Sequence, residues 1–114
     1  MTRGKLTLLS TSILTEFGTY VYTGLTTEAA RALVREYLER GFAVESAVGH
    51  AATAELLSLL LDHPVAVNRV EFRHAAGDVA LVFKLRARPP EGTVLGRVEL
   101  EAIGYDFGLL TRSE

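Results

Sequence analysis

Ser46-Ala47-Val48-Gly49-His50-Ala51-Ala52-Thr53-Ala54-Glu55-Leu56-Leu57 changes character in its middle. A β-like segment gives way at Gly49-His50 to a run of strong helix formers. A strand that hands its chain straight to a helix is a unit of α/β architecture. Gly49 permits a sharp turn and a close approach to the backbone. The pattern places His50 in the first helical turn, where backbone N–H groups have no intrahelical acceptors and the helix dipole is positive. Free donors, a positive dipole end and an imidazole together suit phosphate chemistry. A surface histidine, or one partly satisfied in a core, fits the same spacing.

Downstream, the helix runs from about Ala51 to Leu61 and is apolar nearly all round, through Leu56, Leu57, Leu59, Leu60 and Leu61. Such a helix must be covered on two sides, by the rest of one core or by a second subunit. Upstream, Phe42-Ala43-Val44 reads as a short buried strand. Before it lies an amphipathic helix with Thr26 as N-cap and Glu28 in its first turn. Its apolar face is Ala30, Leu33, Val34, Tyr37 and Leu38, and Gly41 stops it. Lys5 to Leu9 is a first strand, buried on both sides at its end, and runs into the polar cluster Ser10-Thr11-Ser12. Thr19 to Tyr22 is a second extended piece.

Beyond Pro64, Val65 to Arg73 and Val79 to Arg88 read as two strands around the turn Ala75-Ala76-Gly77-Asp78, hence as a hairpin. Pro89-Pro90 breaks it. A short helix runs from about Leu95 to Ile103, Gly104 ends it, and Tyr105 to Thr111 forms a last strand. The expected fold is therefore one compact α/β domain over residues 1–114, a mixed β-sheet with a central apolar helix and two further helices.

Composition bounds the function. Of 114 residues, 48% are hydrophobic and 23% charged, as in an ordinary folded domain. There is no cysteine, which excludes disulfides, thiol catalysis and Cys-ligated zinc. Arg3 and Lys5 follow Met1 at once, and only a short apolar run comes next. That is neither a signal peptide nor a membrane span, so a cytoplasmic protein is expected. A net charge of −2 argues against duplex DNA as a partner but not against a small anion held by placed arginines.

Period two puts Val79, Leu81, Phe83 and Leu85 on one face of their strand and Lys84, Arg86 and Arg88 on the other. Arg69, Glu71 and Arg73 share a face of the preceding strand. These charges are either a solvated, edge-protecting surface or an anion-binding one, with Arg69 and Arg88 as forked donors. Glu91 sits on the stiff corner between Pro89-Pro90 and Gly92. Phosphate-binding, nucleophile-elbow and zinc-helix motifs are all missing. His50, His63 and His74 lack ligand spacing, so neither a metal nor a cofactor is expected.

Five blocks, LLSTSILTEFG, SAVGHAATAELLSLLL, VNRVEF, ALVFKLRARPPEG and EAIGYDFGLLTR, cover the chain from about Lys5 to Arg112. In order and spacing they resemble the small ring-nuclease family, which includes viral anti-CRISPR proteins acting against type III systems and cellular or prophage relatives. The resemblance implies a homodimeric α/β enzyme that degrades cyclic tetra-adenylate, the messenger of type III CRISPR complexes, without a metal. It implies that His50 is the catalytic histidine and that Arg88 and Glu91 flank the scissile phosphate. It also implies that Arg69 and the polar turn around Ser12 help hold the ring, and Ser10, Gly49 and Lys84 complete the expected ligand-binding set. Where relatives carry Asn, this chain has Ser10. A pure binding module that sequesters the ring is the alternative; it would need the basic groups but not His50 or Glu91.

Overall fold

A computed structural model of the chain describes residues 5–10, 16–68, 77–87 and 97–113. Along the chain these form β1 (Lys5–Leu9), β2 (Tyr20–Leu25), α1 (Thr27–Glu39), β3 (Ala43–Ser46) and α2 (Ala51–Leu60). β4 (Val79–Leu85), α3 (Arg97–Ile103) and β5 (Tyr105–Arg112) follow. The strands form one five-stranded sheet in the order β2-β5-β4-β1-β3. β1 pairs in parallel with both β3 and β4, while β5 is antiparallel to β4 and β2. The expected mixed sheet with three helices is thus what forms.

Alternation along the strands divides the core in two. Leu6 and Leu8 of β1, Leu81 and Phe83 of β4 and Phe107 of β5 join Ala30 and Val34 of α1, Leu56 and Leu57 of α2 and Leu100 of α3. The opposite face gathers Leu9, Ala80, Val82 and Leu110, with Tyr20 and Ala47 against them. β1 is therefore buried on both faces, as its unbroken apolar end implied. On the helix side, Phe83, Tyr105 and Phe107 form a triangle of tilted and edge-on rings, with centroids 5.1–6.1 Å apart. On the other side the Tyr22 ring lies across Gly108, where any Cβ would collide with it.

The amphipathic helix is capped as its sequence predicts. Thr26 Oγ1 accepts from Ala29 N–H at 3.0 Å. At the far end Gly41 takes φ +75°, Phe42 N–H donates to Tyr37 C=O and Gly41 N–H to Leu38 C=O. This is the Schellman arrangement, and the Tyr37 and Phe42 rings meet edge-on beneath it. Leu38, expected on the buried face, is 43% exposed.

One expectation needs correction. The hairpin of Val65 to Arg73 with Val79 to Arg88 is not how β4 is held. Over Val79–Val82 its two edges are taken by β1 and β5, and residues 65–68 are not strand. Residues 69–76 lie outside the described residues. Periodicity gives a strand's faces but not its neighbours. For α2, the chain itself supplies the cover on one side. Leu56, Leu57 and Leu61 are buried within the single chain, and Ala51, Glu55 and Leu59 form one exposed stripe, with Leu59 at 53%. Arg31 Nε ties α1 to the end of α2 by donating to Leu60 C=O at 2.9 Å.

Candidate functional site at the carboxyl edge of the parallel strands

Because β1, β3 and β4 are mutually parallel, their carboxyl ends open on one edge of the sheet. In α/β sheets that edge is where ligands bind. Ser10 leaves β1 there, Ala47 to His50 leave β3, and β4 reaches it with Lys84, which is exposed two residues beyond Val82, the partner of Leu9. Four residues singled out from sequence, Ser10, Gly49, His50 and Lys84, thus come to one edge. Ser12, Arg69, Arg88 and Glu91 lie outside the described residues.

His50 stands one position earlier than its sequence suggested. It is the N-cap of α2 rather than a first-turn residue, with φ −127° and ψ 130°, and its carbonyl accepts the first helical bond, from Ala54 N–H at 3.0 Å. The side chain makes no capping bond and is exposed. Histidine's ring does not reach back to the N2 or N3 donors as a short hydroxyl does. The imidazole is left to solvent, beside N–H groups that it does not satisfy.

The corner that carries His50 is held from both sides. Ala47 N–H donates to Leu8 C=O at 2.9 Å and so prolongs the β1–β3 ladder. Ser46 Oγ donates to Ala66 C=O at 2.6 Å and accepts from Val48 N–H at 3.2 Å. Asn68 Nδ2 donates to Ser46 C=O at 2.7 Å, and Asn68 N–H to Val48 C=O at 2.8 Å. Sequence reasoning passed over Ser46 and Asn68, although both stand in the quoted blocks. Two polar residues 22 apart carry no local sign that they will meet.

Arg86, expected on the basic face with Lys84, is already engaged. Its guanidinium forks onto Asp106, with Nη2 at 3.0 Å and Nε at 3.3 Å, and these bonds hold its pKa above the ordinary arginine value. Its backbone N–H donates to Gly104 C=O at 3.0 Å. The pair fastens the end of β4 to the α3–β5 corner rather than offering a free cation. An open groove lined by Ser58, Asp62, His63, Pro64, Val65 and Ala66 lies at the other end of α2, away from His50. Among the described residues no group of His, Asp and Glu is arranged to hold a metal ion, and no helix is long and apolar enough to cross a membrane.

Curated proteins and solved structures resemble the chain, the following among them. YddF of Bacillus subtilis (strain 168) is 32% identical over 108 residues, covering 95% of this chain and 97% of YddF. ORF117 of Acidianus two-tailed virus is 48% identical over 68 residues, a match that spans 59% of this chain and 58% of that protein. Protein 26 of Sulfolobus islandicus filamentous virus is 43% identical over 65 residues, 56% of this chain and 55% of that protein. B116 of Sulfolobus turreted icosahedral virus superposes with a TM-score of 0.70 at 28% identity, over 95% of this chain and 98% of B116. The sequence profile of that family matches residues 6–107, from β1 into β5. The chain belongs to the STIV B116-like family.

Proposed function

We propose that the protein is a metal-independent ring nuclease that opens cyclic tetra-adenylate and so switches off the effectors that this messenger activates. The observation that carries the reading is the exposed His50 at the N-cap of α2, its side chain uncommitted, on the carboxyl edge of three parallel strands. The five sequence blocks that resemble ring nucleases add the substrate class.

In the proposed reaction the ring's own 2′-hydroxyl attacks the adjacent phosphorus and releases its proton to solvent, and the 5′-oxygen leaves with a proton from His50. The product is a linear oligoadenylate ending in a 2′,3′-cyclic phosphate. The attack requires alignment of the 2′-oxygen with the leaving 5′-oxygen, and donors for the charge that grows on the equatorial oxygens. The α2 N-terminus and Arg88 supply that charge stabilisation. Glu91 orients Arg88 or polarises His50 or the 2′-hydroxyl. Ser10, Ser12, Gly49, Arg69 and Lys84 hold the ring. A two-fold homodimer suits a four-fold ring, since each subunit presents one His50 to opposite phosphates. Light scattering at micromolar concentration reads that dimer.

The test is incubation of the purified protein with cyclic tetra-adenylate and with cyclic hexa-adenylate, each with and without EDTA, beside His50→Ala. The expected result is linear product from the tetra-adenylate, unaffected by EDTA. His50→Ala keeps binding and loses roughly 10²–10⁴-fold in turnover. A sequestering module, the alternative, binds the ring and yields no product in either chain. A His50→Ala chain that cuts at the wild-type rate would make the histidine a structural N-cap residue and end the proposal.

A further inference from the structure

We propose that Ser46 and Asn68 are positioning residues for His50, fixing the backbone corner that presents its imidazole; the catalytic consequence rests on the function proposed above. The His50 side chain makes no bond to the first turn of α2, so no cap anchors it. Its place is set instead by the backbone that delivers it, Ala47-Val48-Gly49. Ser46 uses one hydroxyl twice on that backbone, donating to Ala66 C=O and accepting from Val48 N–H. Asn68 grips it twice as well, with its side-chain amide on Ser46 C=O and its own N–H on Val48 C=O. Val48 is thereby held at its N–H, at its C=O and by a side chain buried in the core, two residues before His50.

The segment that makes the grip is itself anchored. Val65 N–H donates to Ser58 Oγ at 2.9 Å, and that hydroxyl donates to Ala54 C=O at 2.8 Å within α2. Residues 65–68 therefore form a strap from the last turn of α2 back to the corner before its first. The bonds from Ser46 to Ala66 and from Asn68 to Ser46 are exposed, where water competes and the net gain in stability is small. Position is what such a network supplies. A general acid must lie within hydrogen-bond reach of the oxygen it protonates, and a misplacement of about 1 Å costs on the order of 10²-fold in rate.

The experiment compares Ser46→Ala, Ser46→Thr and Asn68→Ala with Thr26→Ala, which loses a hydroxyl bond of similar worth at α1. Ring affinity and single-turnover cleavage of cyclic tetra-adenylate are measured, together with NMR of the Val48 to His50 amides and of the His50 imidazole. Ser46→Ala and Asn68→Ala are expected to keep their affinity for the ring and to lose roughly ten- to a hundredfold in rate. Ser46→Thr, which retains the hydroxyl, restores the rate, and Thr26→Ala leaves it unchanged. In a His50→Ala background Asn68→Ala costs nothing further, because nothing is left to position. An equal loss in both backgrounds, or a wild-type rate in either alanine variant, overturns the proposal. Asn68→Asp keeps the shape and the main-chain bond but cannot donate from its side chain, and it replaces Asn68→Ala if that chain does not fold. If the wild type opens no ring, the ring reading fails and NMR alone decides the clamp. Faster amide exchange at Val48 to His50 and a shifted His50 imidazole resonance in both alanine variants, absent from Thr26→Ala, sustain it. An unmoved His50 refutes it.

Discussion

α1 and α2 do the same work in the fold, covering one face of the sheet, yet their ends are built from different chemistry. α1 opens on Thr26, whose hydroxyl satisfies an N–H of the first turn, and closes on a glycine at φ +75°. α2 opens on His50, which caps nothing, and closes on Asp62 at φ +52°. Both helices finish in the same six-to-one bond, Phe42 N–H to Tyr37 C=O in α1 and His63 N–H to Ser58 C=O in α2. α1 takes a favoured residue at both caps, a hydroxyl before its first turn and a glycine past its end, and α2 takes neither. Departures of this kind collect where a chain serves something besides stability. That contrast comes from backbone and capping geometry, and it marks the mouth of α2 independently of any motif.

The largest effect is expected where the N-termini of the two helices are made alike. His50→Ser gives α2 the kind of cap that Thr26 gives α1. Denaturant melts should find the variant more stable by about 1 kcal/mol, the ordinary gain from an N-cap hydroxyl. Turnover of cyclic tetra-adenylate should fall by roughly 10²–10⁴-fold, since serine cannot return a proton to the leaving oxygen. Opposite signs in the two measurements would show that α2 forgoes a cap in favour of chemistry. A variant that is both less stable and fully active removes the basis of the comparison.

On the α1 side, the effects are purely structural. Gly41→Ala meets no atom within 4 Å, so its cost is the backbone strain of a Cβ at positive φ, about 1–2 kcal/mol. Thr26→Ala leaves the Ala29 N–H without its acceptor and should cost about 1 kcal/mol. Under the proposed function, neither substitution should alter binding or turnover of the ring once the chain is folded. A loss of activity at full folding in either would mean that α1 takes part in ligand handling.

Much of this architecture was legible in the sequence, and for identifiable reasons. Lys5–Leu9 and Thr27–Glu39 emerged with their bounds because apolar runs, a cap and a glycine stop act locally. β2 proved longer than Thr19 to Tyr22 because Gly24, a weak strand former, lies opposite Gly108 and is carried by the ladder. The neighbours of β4 were not legible. A turn-like stretch before Val79 suggested a hairpin, whereas the pairing with β1 joins residues more than 70 apart in the chain. At the site, the shift in propensity at Gly49-His50 found the corner, but nothing local announced the Asn68 clamp on Ser46. The Arg86–Asp106 fork was hidden in the same way, since its partners stand 20 residues apart.

The smallest effect is expected at the far end of α2. Asp62 is an exposed, non-glycine residue in the left-handed region, a conformation that Asp tolerates better than most residues but still at a cost. It takes the position that Gly41 takes in α1, so Asp62→Gly makes the two C-termini alike. Relief of backbone strain favours the variant, while the greater freedom of glycine in the unfolded chain opposes it. The balance should be a gain on the order of 0.5 kcal/mol, visible as a small shift of the denaturation midpoint at unchanged slope. Binding and cleavage of the ring should not change, because Asp62 lines the groove at the opposite end of α2 from His50. If Asp62→Gly instead weakens ring handling while gaining stability, then the C-terminus of α2, like its N-terminus, forgoes a local preference for function. Both ends of that helix would then have to be read as parts of the site.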